Sequence, residues 1–263
     1  MKQDTPDISN GNNSKVSFRF YAELNDFLRI ERRQEVFDYP FHGPLTIREA
    51  IESLGIPHTN VDLVLVNGQP VDFTRKLRNN DFISVYPVFE TFDISDISKI
   101  RRSPLRIPRF VVDAHLGKLA KYLRIMGFDS LYRNDYRDDE IRFIASLQHR
   151  IILTRDKELL MSKKVNHGYY VRSVVFKEQV VEVLNKFDLY SGIKPLSRCI
   201  ICNHKLHKVS VASLSDKINP EIGSSFDEFF KCRNCKKIYW KGSHYKRMSQ
   251  YIEQFLLYNP GKL

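Results

Sequence analysis

The sequence predicts an α/β protein: a parallel sheet with helices on both faces, preceded by a small α+β module and followed by a cysteine-rich one. Three observations carry this. Between 109 and 190, short apolar runs (Phe110–Val112, Ile151–Leu153) alternate with amphipathic stretches long enough for helices. Between 15 and 90 the pattern reads strand–strand–helix–strand–strand. Beyond 190, the chain's 4 cysteines fall in two Cys-x-x-Cys pairs.

With 263 residues, the chain can bury one large core or two to three small ones. A composition 42% hydrophobic and 28% charged excludes fibrous and disordered classes. No apolar run approaches the ~18 residues of a membrane span. The opening MKQDTPDISNGNNSK lacks the apolar centre of a signal peptide, so a cytoplasmic protein without membrane contact is expected. The formal charge of +11 is uneven: −3 over 1–91, +6 over 92–190 and +8 over 191–263. An acidic front and a basic back turn the rear two-thirds toward a polyanion. A basic surface that only aids solubility is the plainer alternative.

Residues 1–14 form a polar Asn/Ser/Gly tail, expected to be disordered. Lys15–Ala22 alternates as a half-buried strand, and Gln34–Phe41 holds a second extended stretch. Thr46-Ile47-Arg48-Glu49 is a capping box for a short helix through Leu54, which Gly55 ends. Val61–Val66 is a buried strand, Asn67-Gly68 a hairpin turn and Asp81–Val88 a closing strand. By element order and the VLVNGQPV hairpin, residues 15–90 resemble the ubiquitin-like beta-grasp domains, in particular the small sulfur carriers. Those carriers work through a free C-terminal Gly-Gly, whereas the matching strand here ends Tyr86-Pro87-Val88-Phe89-Glu90 and the chain runs on. A binding or positioning role, with a protein partner, is therefore expected of this module. Residues 91–108 carry prolines and clustered arginines and read as a linker.

From Arg109 the rhythm changes. Phe110–Val112 is a short strand ending in Asp113, followed by a helix to about Met126. Phe128–Tyr132 is a second strand, Asp139–His149 a helix, and Ile151–Leu153 a third strand. Asp156 opens another helix, Val171–Phe176 is a fourth strand, and a last helix covers Glu178–Phe187. On a wheel at about 100° per residue, Leu116, Leu119, Ala120, Leu123 and Met126 gather on one side, leaving Lys118, Lys121 and Arg124 as a separate basic stripe. A solvated helix face accounts for that stripe without any function.

Asp113, Asp138 and Asp156 fall where the carboxyl edge of the sheet should lie, the place where such sheets bind ligands. Each is also well placed as an N-cap. Brought together, they would repel one another unless a cation intervenes, and oxygen-only ligands suit Mg²⁺ or Mn²⁺. Such an ion can activate water against a phosphodiester.

The runs RFVVDAHLGKLAKYLRIMGFD (109–129), DDEIRFIASLQHRIILTRDKELL (138–160) and CRNCKKIYWKGSHYKRM (232–248) resemble the C-terminal RNase domain of the Mut-seven proteins, a branch of the PIN-like nucleases. The resemblance covers about 109–250 and rests on Asp113-x-x-Leu116-Gly117-Lys118-Leu119, Thr154-Arg155-Asp156 and Tyr239-Trp240-x-Gly242-Ser243-His244. Prokaryotic members often carry a ubiquitin-like module in front. The resemblance implies a PIN-like RNase domain over 109–190, with Asp113, Asp138 and Asp156 as its metal-binding and catalytic acids. Asp135 and Asp139 are further candidates for a fourth ligand. It gives Lys118 and Arg124 the motif's basic positions, in contact with phosphate.

Cys199, Cys202, Cys232 and Cys235 have the spacing of two knuckles around one tetrahedral Zn²⁺, so 191–263 reads as a zinc ribbon with an insertion between the knuckles. His204 and His207 are competing ligands. Lysines and arginines around the second knuckle interleave with Tyr239, Trp240 and Tyr245, a pattern that can grip phosphates and stack bases. Lys118, Lys121, Arg124, Arg155, Lys236, Lys237, Trp240 and His244 are the candidate RNA contacts. Packing of the small module would equally explain Trp240, and a structural hydrogen bond His244.

The leading expectation is a metal-dependent ribonuclease acting on RNA, single-stranded by preference, with catalytic Mg or Mn and structural Zn. The alternative is a non-catalytic RNA-binding adaptor using the outer two modules. A toxin of a toxin–antitoxin pair is a weaker third, because the extra modules fit it poorly.

Overall fold

The computed structural model describes residues 14–88, 97–100, 108–214 and 218–258. The expected tail up to residue 13 and most of the expected linker lie outside these. The chain divides into two compact units, Met1–Pro104 and Leu105–Leu263.

The first unit contains β1 (Ser14–Phe20), β2 (Phe37–Phe41), α1 (Ile47–Ser53), β3 (Val61–Val66), β4 (Gln69–Val71) and β5 (Phe82–Pro87). Val16, Phe18 and Phe20 are buried while their β1 neighbours are not, so alternation fixes which face of the strand meets the core. The strand order is β2-β1-β5-β3-β4, with β1 and β5 parallel and the other pairs antiparallel, a beta-grasp arrangement. Helix α1 begins at the capping box: the Thr46 hydroxyl accepts from the Glu49 N–H at 3.3 Å, and Glu49 accepts from the Thr46 N–H at 2.9 Å. Asn67 (φ +51°) and Gly68 (φ +79°) form the tight turn between β3 and β4, both in the left-handed region that such a turn demands.

The second unit is built on four parallel strands: β6 (Phe110–Val112), β7 (Ser130–Leu131), β8 (Ile151–Thr154) and β9 (Gly168–Tyr170). Between them run α2 (Gly117–Ile125), α3 (Asp138–Gln148) and α4 (Lys157–Met161), with α5 (Phe176–Lys186) after β9. Phe110, Val112, Ile151 and Leu153 pack with residues of α2 and α5. Val111 and Ile152 pack with Ile141 of α3 and Leu159 and Leu160 of α4. Helices therefore cover both faces. Burial on two sides is why these strands are continuous apolar runs without alternation.

Two strands differ from the sequence reading. Only Ser130–Leu131 pairs where Phe128–Tyr132 was expected, and the fourth strand is Gly168–Tyr170, not Val171–Phe176. The Val-rich segment after Tyr170 has the composition of a strand, but Val174 is 77% exposed and Phe176 already belongs to α5. Side chains hold the backbone here in place of a neighbouring strand. Glu182 accepts from the N–H groups of Arg172 and Ser173, at 2.9 and 3.2 Å.

The remaining elements are β10 (Leu206–Val209), α6 (Pro220–Ser225), β11 (Phe229–Cys232), β12 (Ile238–Trp240) and α7 (Ser243–Leu256). The strands form a separate antiparallel sheet in the order β10-β11-β12, and α6 lies in the expected insertion between the knuckles. Helix α7 returns to the parallel sheet: Met248, Ile252 and Phe255 join the core of Phe110 and Leu153. The boundary read near residue 190 is thus no break between cores. The ribbon is spliced into the domain between α5 and the helix that closes it.

Candidate functional site: an acid edge and a cysteine quartet

Strand order β7-β6-β8-β9 places the topological switch between β6 and β8, since the chain leaves β6 toward one side and returns on the other. Ligands of open α/β sheets lie beyond the carboxyl ends of the strands at such a point. Asp113 follows β6 directly, and Thr154-Arg155-Asp156 ends β8. The Asp113 N–H donates to the Leu153 carbonyl at 3.0 Å, extending the β6–β8 ladder by one bond and fixing the carboxylate at the edge.

Asp113 is 6% exposed, and its side chain caps nothing. Its Oδ2 accepts a 2.5 Å hydrogen bond from the Thr154 hydroxyl, which itself accepts from the Asp156 N–H at 2.9 Å. One hydroxyl thus ties the Asp113 carboxylate to the Asp156 backbone; sequence reasoning passed over Thr154, although its place inside Thr154-Arg155-Asp156 was the available signal. Asp156 does cap α4, with Oδ1 accepting from Glu158 and Leu159, while Oδ2 accepts no hydrogen bond from the described residues. Neither acid has a Lys, Arg or His partner within 4.0 Å among the described residues. A buried carboxylate without a counter-charge is costly, and a divalent cation is a chemically apt remedy.

Asp138 is exposed. It is the first residue of α3, not its cap; Arg137 occupies the cap position, and the Arg137 N–H donates to Glu140 at 3.1 Å. The Asp138 side chain is 53% exposed, with Arg142 at 3.9 Å. Asp135 and Asp139 are committed to surface arginines, to Arg133 at 2.8 Å and Arg137 at 3.1 Å, and the Arg133 hydrogen bond holds the Asp135 carboxyl below the usual range. Among the described residues, the one group of at least 3 metal-type side chains whose ligand atoms lie within 4.8 Å of one another is the cysteine quartet. Asp113, Asp138 and Asp156 are not drawn to that spacing.

The basic stripe of α2 divides. Lys118 and Lys121 are exposed, and Lys118 Nζ lies 5.6 Å over the Phe176 ring. Arg124 is 5% exposed and cannot be the phosphate contact expected of it. Its Nε donates to the Ser130 carbonyl at 2.8 Å, Nη1 to those of Ile200 and Ile201 at 3.1 and 2.8 Å, and Nη2 to that of Tyr132 at 3.3 Å. A helical wheel sees α2 alone; the first cysteine knuckle covers this part of its polar face. Arg155 is likewise directed inward, its Nη1 donating to the carbonyls of Val171, Arg172 and Ser173. Gly117 has a positional reason too, because a Cβ there would overlap the Tyr132 hydroxyl.

Arg124→Met is expected to leave four carbonyls without their donor and to cost about 3 kcal/mol or more of stability. A thermal melt checks this. An unchanged melt with weaker RNA binding would return Arg124 to the phosphate role.

The two knuckles repeat one backbone pattern. Cys199 donates its N–H to the His204 carbonyl and accepts from the Asn203 N–H; Cys232 does the same with Lys237 and Lys236. Asn203 (φ +65°) and Lys236 (φ +63°) are the left-handed residues that turn each knuckle back. The Cys199–Cys235 and Cys202–Cys232 sulfur pairs are each 3.4 Å apart. Four sulfurs around Zn²⁺ at about 2.3 Å stand about 3.8 Å from one another, so the quartet fits that ion. Burial opposes ionisation of the Cys202 thiol, but hydrogen bonds from the His204 backbone, Cys232 and Asn234 outweigh it and hold the thiol down to about 5. His204 and His207 are outside the quartet.

Asn203 also joins ribbon to sheet, accepting from the Ser130 N–H at 3.0 Å and donating to Asp129 at 2.7 Å. Asp129 pairs with Arg150 at 2.7 Å and Arg198 at 2.9 Å. Burial would raise the Asp129 carboxyl, but the Arg150 and Asn203 hydrogen bonds bring it below the usual range. Trp240 packs against Phe229 at 6.2 Å and over Gly242, a structural placement, while Lys236, Lys237 and His244 are exposed.

A doubly wound sheet with acids at its switch point, closed by a cysteine ribbon and its following helix, defines the domain. The family model described as the Mut7-C RNAse domain matches residues 108–252, and the one described as Mut7-C ubiquitin matches 13–93. The first spans more than half of the 263-residue chain, which belongs to the Mut7-C RNAse family. No curated protein and no solved structure matches the chain. Membership points to nuclease or RNA-related work, and the ubiquitin-like unit to protein interaction. Among the described residues, no helix is long and apolar enough to cross a membrane.

Proposed function

We propose that the chain is a metal-dependent ribonuclease whose reaction takes place at the carboxyl edge of β6 and β8. The observation that carries this is Asp113: a buried carboxylate at the switch point, without a counter-ion, capping no helix and joined through Thr154 to a second acid. Asp113 and Asp156 would hold Mg²⁺ or Mn²⁺, with Asp138, at the first turn of α3, as the further acid. When bound, such an ion lowers the pKa of water and stabilises charge on phosphate oxygens. Thr154 orients the Asp113 carboxylate, the first turn of α4 orients that of Asp156, and Asp156 Oδ2 remains available to orient the water. That water loses a proton to solvent as it forms the new P–O bond, and the leaving ribose oxygen takes one up from solvent as its bond to phosphorus breaks. Lys118, at the start of α2, offsets negative charge on the phosphate.

The exposed position of Asp138 favours one second reading, the RNA-binding adaptor without turnover. Incubating the purified chain with single-stranded RNA and Mn²⁺ separates the two. The proposal expects cleavage that stops on chelation of Mn²⁺; the adaptor expects binding with intact RNA.

A further inference from the structure

The first knuckle meets α2 at a buried cation. Arg124 is 5% exposed, and among the described residues the hydrogen bonds of its guanidinium all end on neutral carbonyls. Two of those carbonyls belong to Ile200 and Ile201, the residues between Cys199 and Cys202. An arginine stays charged at neutral pH, so a guanidinium buried in this way needs a negative neighbour. Asp129 is already held by Arg150 at 2.7 Å and Arg198 at 2.9 Å. Burial lowers the Arg124 pKa, and the groups that oppose this most strongly are the thiolates of Cys199 and Cys202.

Tyr239 supplies an independent observation. Strand alternation in β12 turns it away from the face that carries Ile238 and Trp240. Its ring lines a small cavity with Ile125 of α2, Ile200 of the first knuckle and Met248 of α7. Its hydroxyl lies 3.1 Å from the Sγ of Cys199, which is fully buried. A tyrosine hydroxyl is protonated at neutral pH and a zinc-bound cysteine is a thiolate, so the hydroxyl is the donor.

Four thiolates around Zn²⁺ leave a formal charge of about −2. We propose that Arg124 and Tyr239 offset the charge of this centre, the guanidinium from its seat on the Ile200 and Ile201 carbonyls and the hydroxyl directly on Cys199. Neither residue is a ligand; both act through the thiolates, and α2 and β12 are thereby tied to the metal. The proposal rests on the quartet holding zinc and is independent of the ribonuclease reading.

The test is chelator competition for Zn²⁺ on the full chain, with Co²⁺ as a spectroscopic probe of the same site. Tyr239→Phe removes one hydroxyl and keeps the ring in its cavity. It is expected to weaken zinc binding by roughly tenfold or more. The sulfur-to-Co²⁺ charge-transfer band should move to longer wavelength, because a thiolate that loses a hydrogen-bond donor gives up electron density more easily. A ring with a purely packing role would leave that band in place. Arg124→Met is expected to lower zinc affinity as well, and Arg124→Lys, which returns the charge without the fork, should recover part of it. A Tyr239→Phe chain with the parent's affinity and band overturns the proposal. So does an Arg124→Lys chain that binds zinc no better than folded Arg124→Met; should Arg124→Met not fold, Tyr239→Phe decides alone. A parent that binds neither ion overturns the zinc assignment together with the proposal, while the acid edge keeps its own Mn²⁺ test.

Discussion

Asp113→Asn is expected to lower RNA cleavage on the order of a thousandfold while leaving RNA affinity largely intact and the melting temperature equal or higher. The rate effect follows from losing a charge that holds the metal, which stabilises the transition state by several kcal/mol, and each ~1.4 kcal/mol is a factor of ten. The stability effect has the opposite sign. The wild-type carboxylate is buried without a counter-ion, so the fold loses a desolvated charge, while the Thr154 hydroxyl can donate to the Asn oxygen as it does to Asp113 Oδ2. Asp156→Asn separates charge from capping in the same way. Asn is as good an N-cap as Asp, so α4 should keep its first turn while activity falls. Cleavage assays beside thermal melts check both variants. An acid retained only for the fold would show the reverse: lower stability and unchanged cleavage.

Zinc removal, or Cys232→Ser, is expected to lower the melting temperature of the Leu105–Leu263 unit by about 10 °C or more. The ribbon does not hang free. Arg124 donates to the knuckle carbonyls of Ile200 and Ile201, Asn203 bonds Ser130 and Asp129, and Arg198 pairs with Asp129. The chain then passes through β12 into α7, whose Met248, Ile252 and Phe255 lie in the sheet's core. Loss of the ion should therefore free the knuckles, unseat α7 and expose apolar surface. Scanning calorimetry and binding of a hydrophobic dye report both effects, and re-adding Mg²⁺ without Zn²⁺ should restore neither. A zinc-free chain with an unchanged melt would show that the sulfurs do no structural service.

Local chemistry was legible in the sequence. The Thr46–Glu49 capping box, the Asn67-Gly68 turn, the strand ends bearing Asp113 and Asp156, and the paired knuckles all arise from residues close together along the chain. What escaped the reading depends on partners far away. Arg124 has the spacing of a solvated stripe and is buried by carbonyls 76 and 77 residues on. Val171–Phe176 has the composition of a strand, yet Glu182 and Arg155 hold the Arg172–Ser173 backbone as a loop. Asp129 looked like the end of a motif and is the junction of Arg150, Arg198 and Asn203. Asp138 matches the motif by position, but it stands at the exposed first turn of α3, and the three acids together are not drawn to ligand spacing. Helix starts place acids at an edge; they do not set the distance between them.

The most direct test is Mn²⁺ binding to the full zinc-loaded chain, followed by electron paramagnetic resonance of the free ion. Asp113→Asn and Asp156→Asn should each weaken that binding by roughly tenfold or more, with zinc content unchanged. Equal Mn²⁺ affinity in all three proteins would contradict a cation held at the β6–β8 edge.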